Sequence, residues 1–203
     1  MVVGSWPVPV TVPSDAEIRA LHQRYAPGPE AFELVWTHCE IVCRIAEQLA
    51  ARTGLGVDLG LVRAGCLLHD IGVHRLTGPG HRAYIRHGVL GHELLSEQGF
   101  PEELCRFCSC HTGVGLTRED VVRQELPLPP ADYVAVTAEE RLVMYADKFH
   151  SKTTPPRFNT AASYLAYSRR FGPGKAELFA AMVEQYGEPE LTSLATEYGH
   201  GMT

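Results

Sequence analysis

Five helical stretches of this chain each place a histidine or an aspartate on the same stripe as their buried aliphatic residues, and that pattern limits the fold more than any other feature. Over residues 30–52, Leu34, Ile41, Val42, Ile45 and Leu49 recur at helical spacing and His38 shares their face. In RAGCLLHDIGVHR, residues 63–75, His69 stacks over Val62, Gly65 and Cys66, and Asp70 over Cys66 and Leu67. In HGVLGHELL, His87 leads a stripe of Leu90, Gly91 and Leu94; His111 follows Leu104, Phe107 and Cys108; Asp147 follows Val143 and Met144. A lone inward histidine is most often a hydrogen-bonded core residue. Six ionisable groups on inward stripes are a different matter, since one unpaired buried carboxylate already costs several kcal/mol.

A shared positive charge resolves that cost. Four imidazoles and two carboxylates suit Mn, Fe, Zn, Co or Ni better than an all-oxygen calcium site, and six side chains exceed one tetrahedral zinc. The set fits two ions bridged by an aspartate.

The periodicity is helical nearly throughout and predicts an all-α fold. Pro13-Ser14-Asp15 opens a short helix to about Tyr25, and Pro29 starts the long helix that Thr53-Gly54 ends. Asp58 caps the next helix, and further helices are expected at about 87–98, 101–111, 137–150, 160–170 and 174–186, with EPELTSLATEYG as a last short one. ELPLPPADYVAV and TTPPRFNT read as connections, and no strand has a clear signal. The expected organisation is an N-terminal helical extension over 1–29, a central domain over 30–152, and a C-terminal helical extension over 153–203 packed on it.

The ordered residues His38, His69-Asp70, His87, His111 and Asp147, with the segments LLHDIG, HGVLGHELL, CHTGVGL and MYADKFHSK, resemble the signature of the HD-domain superfamily of metal-dependent phosphohydrolases, in its HDIG-type branch. The resemblance implies a helical bundle holding one or two divalent transition-metal ions. It assigns His38, His69, Asp70 and Asp147 to the first ion, and Asp70, His87 and His111 to the second. It also implies hydrolysis of a phosphate ester or anhydride, with a nucleotide the favoured substrate, by water that Asp70 and His69 help to activate. Superfamily members include di-iron oxygenases, and a non-catalytic metal or nucleotide sensor is the other alternative. Many relatives carry a lysine after HDIG, where this chain reads Val73-His74-Arg75. Arg75 is therefore the expected substitute, acting in catalysis and substrate binding, although a guanidinium fork differs from a point charge. Lys148, Lys152 and Arg157 are the other expected phosphate contacts, with surface solvation the alternative for Lys152. His92 is read as a support for the ligands.

Other features bound the function. A net charge of −6 over 203 residues disfavours a duplex nucleic-acid footprint. No apolar run approaches the roughly 18 residues of a membrane span. The first 21 residues lack a signal-peptide pattern, so the expectation is a cytoplasmic protein with six reduced cysteines, and a homodimer is compatible with the sequence. CRFCSCH has the spacing of a buried thiol stripe and lacks a second cysteine pair for a zinc knuckle. His74, His81 and His150 are read as surface histidines flanking the motifs.

Overall fold

The computed structural model describes residues 11–78 and 80–203. The first ten residues of the expected N-terminal extension, and Pro79 of the GPGH turn, lie outside them. The fold is all-α, with eleven helices and three two-residue strands among the described residues. The helices are α1 (Asp15–Tyr25), α2 (Pro29–Thr53), α3 (Leu59–Leu68), α4 (His81–Tyr84), α5 (His87–Glu97), α6 (Glu102–Cys110), α7 (Arg118–Arg123), α8 (Ala138–Asp147), α9 (Ala161–Ser168), α10 (Pro173–Tyr186) and α11 (Thr192–Tyr198). The strands are β1 (His150–Ser151), β2 (Arg157–Phe158) and β3 (Gly201–Met202). No described helix is long and apolar enough to cross a membrane.

Local chemistry sets the helix ends. Ser14, Asp58, Thr137 and Thr160 accept from the third residue of their helices. At α8 the box is reciprocal, and its Glu140 is also held by Arg106 Nε at 2.6 Å, which ties α8 to α6. Gly54 closes α2 in the left-handed conformation. The centre of the domain is α2, against which α3 and α8 pack, while α5 and α6 pair with each other and α6 lies on α3. Ile41, Val42, Ile45 and Leu49 of α2 are fully buried, each contributing about 1.5–3 kcal/mol of transfer free energy. Leu34, expected on this stripe, is exposed. Val35 and Trp36 turn inward in its place, because the buried face of the first turns is set by contact with α1 as well as with the central helices.

An aromatic cluster joins α8 to the later helices: Tyr145 stacks on Tyr186 at 5.2 Å, and Phe179 of α10 meets Tyr145, Phe149 and Tyr164. The strands, which the sequence did not signal, form one small sheet in the order β1-β2-β3. They are too short for period-2 alternation to show. ELPLPPADYVAV is a connection as expected, with Tyr133 bridged to Leu116, and it is preceded by a six-residue helix, α7, for which no expectation was made.

The tightest backbone approach lies beside the motif that opens the site. A Cβ on Gly72 would collide with the His87 carbonyl and with Gly91 N, so the 3₁₀ turn at Ile71–Arg75 lies directly on α5. Gly72→Ala is therefore expected to cost about 3 kcal/mol or more, since backbone cannot yield as a side chain can. Thermal unfolding should show this as a Tm lower by roughly 6–12 °C. An unchanged Tm would mean that the turn and α5 are not in contact.

Candidate metal centre

The apolar run Cys66-Leu67-Leu68 drives α3 into the protein's interior, and the helix ends there. His69 is its C-cap and Asp70 breaks the helical geometry, with φ −106° and ψ 8°. Both side chains are buried, Asp70 to 1% exposure. His111 caps the end of α6, Asp147 is the last residue of α8, and His87 opens α5, whereas His38 projects from the middle of α2. Three helices thus present their carbonyl ends at one place, where their dipoles favour a cation.

The ligand-type atoms converge in two groups that share Asp70: His38, His69, Asp70 and Asp147, and Asp70, His87 and His111, each group's atoms within 4.8 Å of one another. The Asp70 carboxylate faces both. Its Oδ2 lies 3.1 Å from His38 Nε2 and 3.4 Å from His69 Nε2, while its Oδ1 lies 3.4 and 3.6 Å from the Nε2 atoms of His87 and His111. Asp147 Oδ1 closes the first group, 3.0 Å from His38 and 3.5 Å from His69.

Ring orientation shows that these residues fit metal ions. The Nδ1 of His69 donates to Cys66 O at 2.7 Å, that of His87 to Tyr84 O at 2.7 Å, and that of His111 to Phe107 O at 3.0 Å. With the proton on Nδ1, each neutral ring turns an Nε2 lone pair to the centre. His87 and His111 then face each other with two lone pairs at 2.8 Å, and Asp70 Oδ1 is buried without a hydrogen bond. Such an arrangement is repulsive unless a cation sits among the atoms. Burial keeps both of these rings neutral, pushing His87 down to about 3 and lowering His111. Burial opposes charge on Asp70 and Asp147 too, but Lys152 and His69 beside the first, and Lys148 and His38 beside the second, outweigh it and hold both carboxyls well below the usual range.

The expected cations fall in different places. Lys152 ion-pairs directly with Asp70 Oδ2 and is nearly buried, so it belongs to the site and is not a solvated surface residue. Lys148 is buried and donates to Asp147 Oδ2 at 2.6 Å and His111 O at 2.8 Å, bracing two ligand-bearing residues. Arg157 is exposed on β2, lining the outer cleft beside Asp147 and Lys152. Arg75 is not at the site. Its guanidinium pairs with Glu97 of α5 and lies 5.4 Å over the Tyr25 ring, because the 3₁₀ turn aims it along the outer face of α5. His92 does not support the ligands either: it bonds Ser109 Oγ at 3.1 Å and Glu102 at 3.2 Å, clasping α5 to α6. All six cysteines are free and buried, and none joins a ligand group among the described residues.

Sequence reasoning missed three features. His150 is buried and contacts His38, and His74, read as a surface residue, is half-buried with its Nε2 3.1 Å from His22. No local signal marks the first, because β1 is only two residues long. The third is a cavity of about 280 Å³ beside the cluster, floored by Asp70, His87, His111 and Lys152 and walled by Tyr84, Leu116, Tyr164, Tyr167 and Phe171.

The comparisons with known proteins agree with this geometry. A family model described as HD domain matches residues 35–152. An uncharacterised protein of Methanocaldococcus jannaschii is 45% identical over 118 residues, 57% of this chain and 65% of that protein. A tRNA (cytidine(56)-2'-O)-methyltransferase of Picrophilus torridus is 36% identical over 121 residues, 60% of this chain and 33% of that enzyme. The chain thus spans less than two thirds of the length of either relative. Among solved structures, the HD domain of the L. monocytogenes phosphodiesterase PgpH superposes with a TM-score of 0.51 at 17% identity, covering 89% of this chain and 98% of that one, a likeness of fold. With more than half its length matched, and with histidines and aspartates gathered around a doublet at the end of a buried helix, the chain belongs to the HD-domain family.

Proposed function

We propose that the protein is a metal-dependent phosphohydrolase that cleaves a phosphate ester or anhydride, with a nucleotide as the favoured substrate class. The observation that carries this reading is the Asp70 carboxylate, whose two oxygens each face a separate histidine group. Divalent transition-metal ions held there supply a water ionised near neutral pH and positive charge for phosphoryl oxygens.

The chain's own residues do the rest. His38, His69 and Asp147 face one oxygen of Asp70 and His87 with His111 the other, so ions held among them would fix the carboxylate before substrate arrives. Lys148 holds Asp147 and the His111 backbone in place. Asp70 attraction outweighs the burial of Lys152 and keeps it protonated, so its ammonium can turn to a phosphoryl oxygen without a proton transfer. The aromatic walls at Tyr84, Tyr164, Tyr167 and Phe171 suit a flat base or similar leaving group. Methyl transfer is not carried over, because the shared stretch is a third of that relative.

The test is a screen of nucleotides and other phosphate esters for released phosphate, on protein reloaded with Mn, Fe, Co, Ni or Zn, with dissolved oxygen followed in parallel. Phosphate release without oxygen uptake is expected. Oxygen uptake with no phosphate release would replace this reading by the di-iron oxygenase. The same assay separates Arg75 from Lys152. Arg75→Ala removes an exposed pair worth about 0–1 kcal/mol and should leave turnover within about a factor of two, whereas Lys152→Met should lower it by about 100-fold. The opposite ranking would return Arg75 to the site.

A further inference from the structure

Three of the four imidazoles in the cluster are held by a carbonyl three or four residues back in their own chain; His38 is not. Its Nδ1 faces His150 Nδ1 at 2.8 Å, and His150 Nε2 faces His200 Nδ1 at 3.0 Å. Hydrogen bonding gives this row a direction. If His38 Nε2 is to offer a lone pair to a cation, its proton sits on Nδ1 and is donated to His150. His150 then accepts through Nδ1, carries its own proton on Nε2, and donates it to His200 Nδ1. One tautomer at the outer end fixes the other two.

We propose that His150 and His200 are positioning residues for His38, setting the tautomer and ring orientation with which it binds a divalent transition-metal ion. The proposal rests on the reading of the cluster as a metal centre. It also gives the small sheet a purpose. β1 pairs antiparallel with β2 and β2 parallel with β3, in the register His150 to Phe158 to Met202, so residues far apart in sequence meet beside His38. His200 immediately precedes β3, and Thr203 N donates to Phe158 O at 3.0 Å, which pins the segment. The His150 and His200 rings stack at 5.1 Å and 22°, with Phe158 against His150 at 4.9 Å. His150 is buried and His200 half-buried, so the row runs from the cluster toward the surface. Because the family match ends at residue 152, the last link comes from this chain's own later segment.

A merely packed histidine and a positioning histidine respond differently to substitution. His150→Phe keeps a ring and removes the acceptor, whereas His150→Asn places an amide oxygen where Nδ1 stood. Cobalt(II) titrated into the metal-stripped full chain, followed by its ligand-field absorption, reads the affinity directly. The expected result is a loss of about 10- to 100-fold for His150→Phe in one binding step, recovered in large part by His150→Asn, with a smaller loss for His200→Ala. Wild-type affinity in His150→Phe, or an Asn variant as weak as the Phe variant, would overturn the proposal while leaving the metal centre standing. Wild-type protein that binds no cobalt would overturn the metal reading and this proposal together. Should circular dichroism show His150→Phe unfolded, His200→Ala decides: weakened cobalt binding supports the proposal, and unchanged affinity overturns it.

Discussion

Asp70→Asn is expected to lower turnover by about 100-fold or more and to reduce the metal content of the purified protein. The substitution keeps the side-chain volume, so the packing around the end of α3 survives. What it removes is the negative charge that both histidine groups face, His38 and His69 on one oxygen, His87 and His111 on the other. It also leaves Lys152 as a nearly buried ammonium without its carboxylate, which costs more than losing an exposed pair. Added metal should raise the Tm of the wild type but not of this variant. Cys110→Ala is the control, one residue from His111 and buried, with no ligand role. Steady-state kinetics and elemental analysis on the two variants decide the matter. An asparagine variant with wild-type turnover and metal, beside an alanine variant that has lost both, would move the site to the thiols.

Stripping the metal with a chelator is expected to abolish activity and lower the Tm, and returning the metal should restore both. At a free-ion concentration 100 times the dissociation constant the gain is about 2.7 kcal/mol, or roughly 5–11 °C for a domain of this size. The stripped cluster must find its positive charge elsewhere, and His69 supplies part of it. Burial opposes the charge on His69, but the Asp70 and Asp147 carboxylates outweigh it and raise its pKa well above the usual 6.5. Stability owed to that proton is complete below pH 6.5 and is lost as pH rises through the raised value. Metal uptake at neutral pH therefore displaces a proton, and apparent affinity should climb with pH above 6.5 until His69 has deprotonated. Calorimetry in buffers of different ionisation enthalpy measures the released proton. Full activity in excess chelator after long incubation, or metal uptake with no proton release, would contradict this account.

What could be read from the sequence was what depends on local period. The helix carrying His38 follows from Ile41, Val42, Ile45 and Leu49, and the end of α3 at His69-Asp70 follows from an apolar run that stops at a doublet two residues before glycine. Those two patterns already point the ligand-type residues inward. Tertiary partners lay beyond reach. Nothing within four residues of Arg75 tells that Glu97, two helices later, will take its guanidinium, or that Tyr25 will lie beneath it. Lys152 was ambiguous for the same reason, since its partner Asp70 is 82 residues away in sequence. His150 was hidden because its strand is two residues long and depends on β2 and on a third strand some fifty residues later.

The central claim is that two histidine groups sharing Asp70 are a metal centre, and elemental analysis tests it most directly. Metal-stripped protein incubated in turn with Mn, Fe, Co, Ni and Zn, then dialysed, should retain one or two ions per chain with at least one of them, and substituting His38, His69, Asp70 or Asp147 should lower that number. A folded wild-type chain that retains none of the five metals would contradict it.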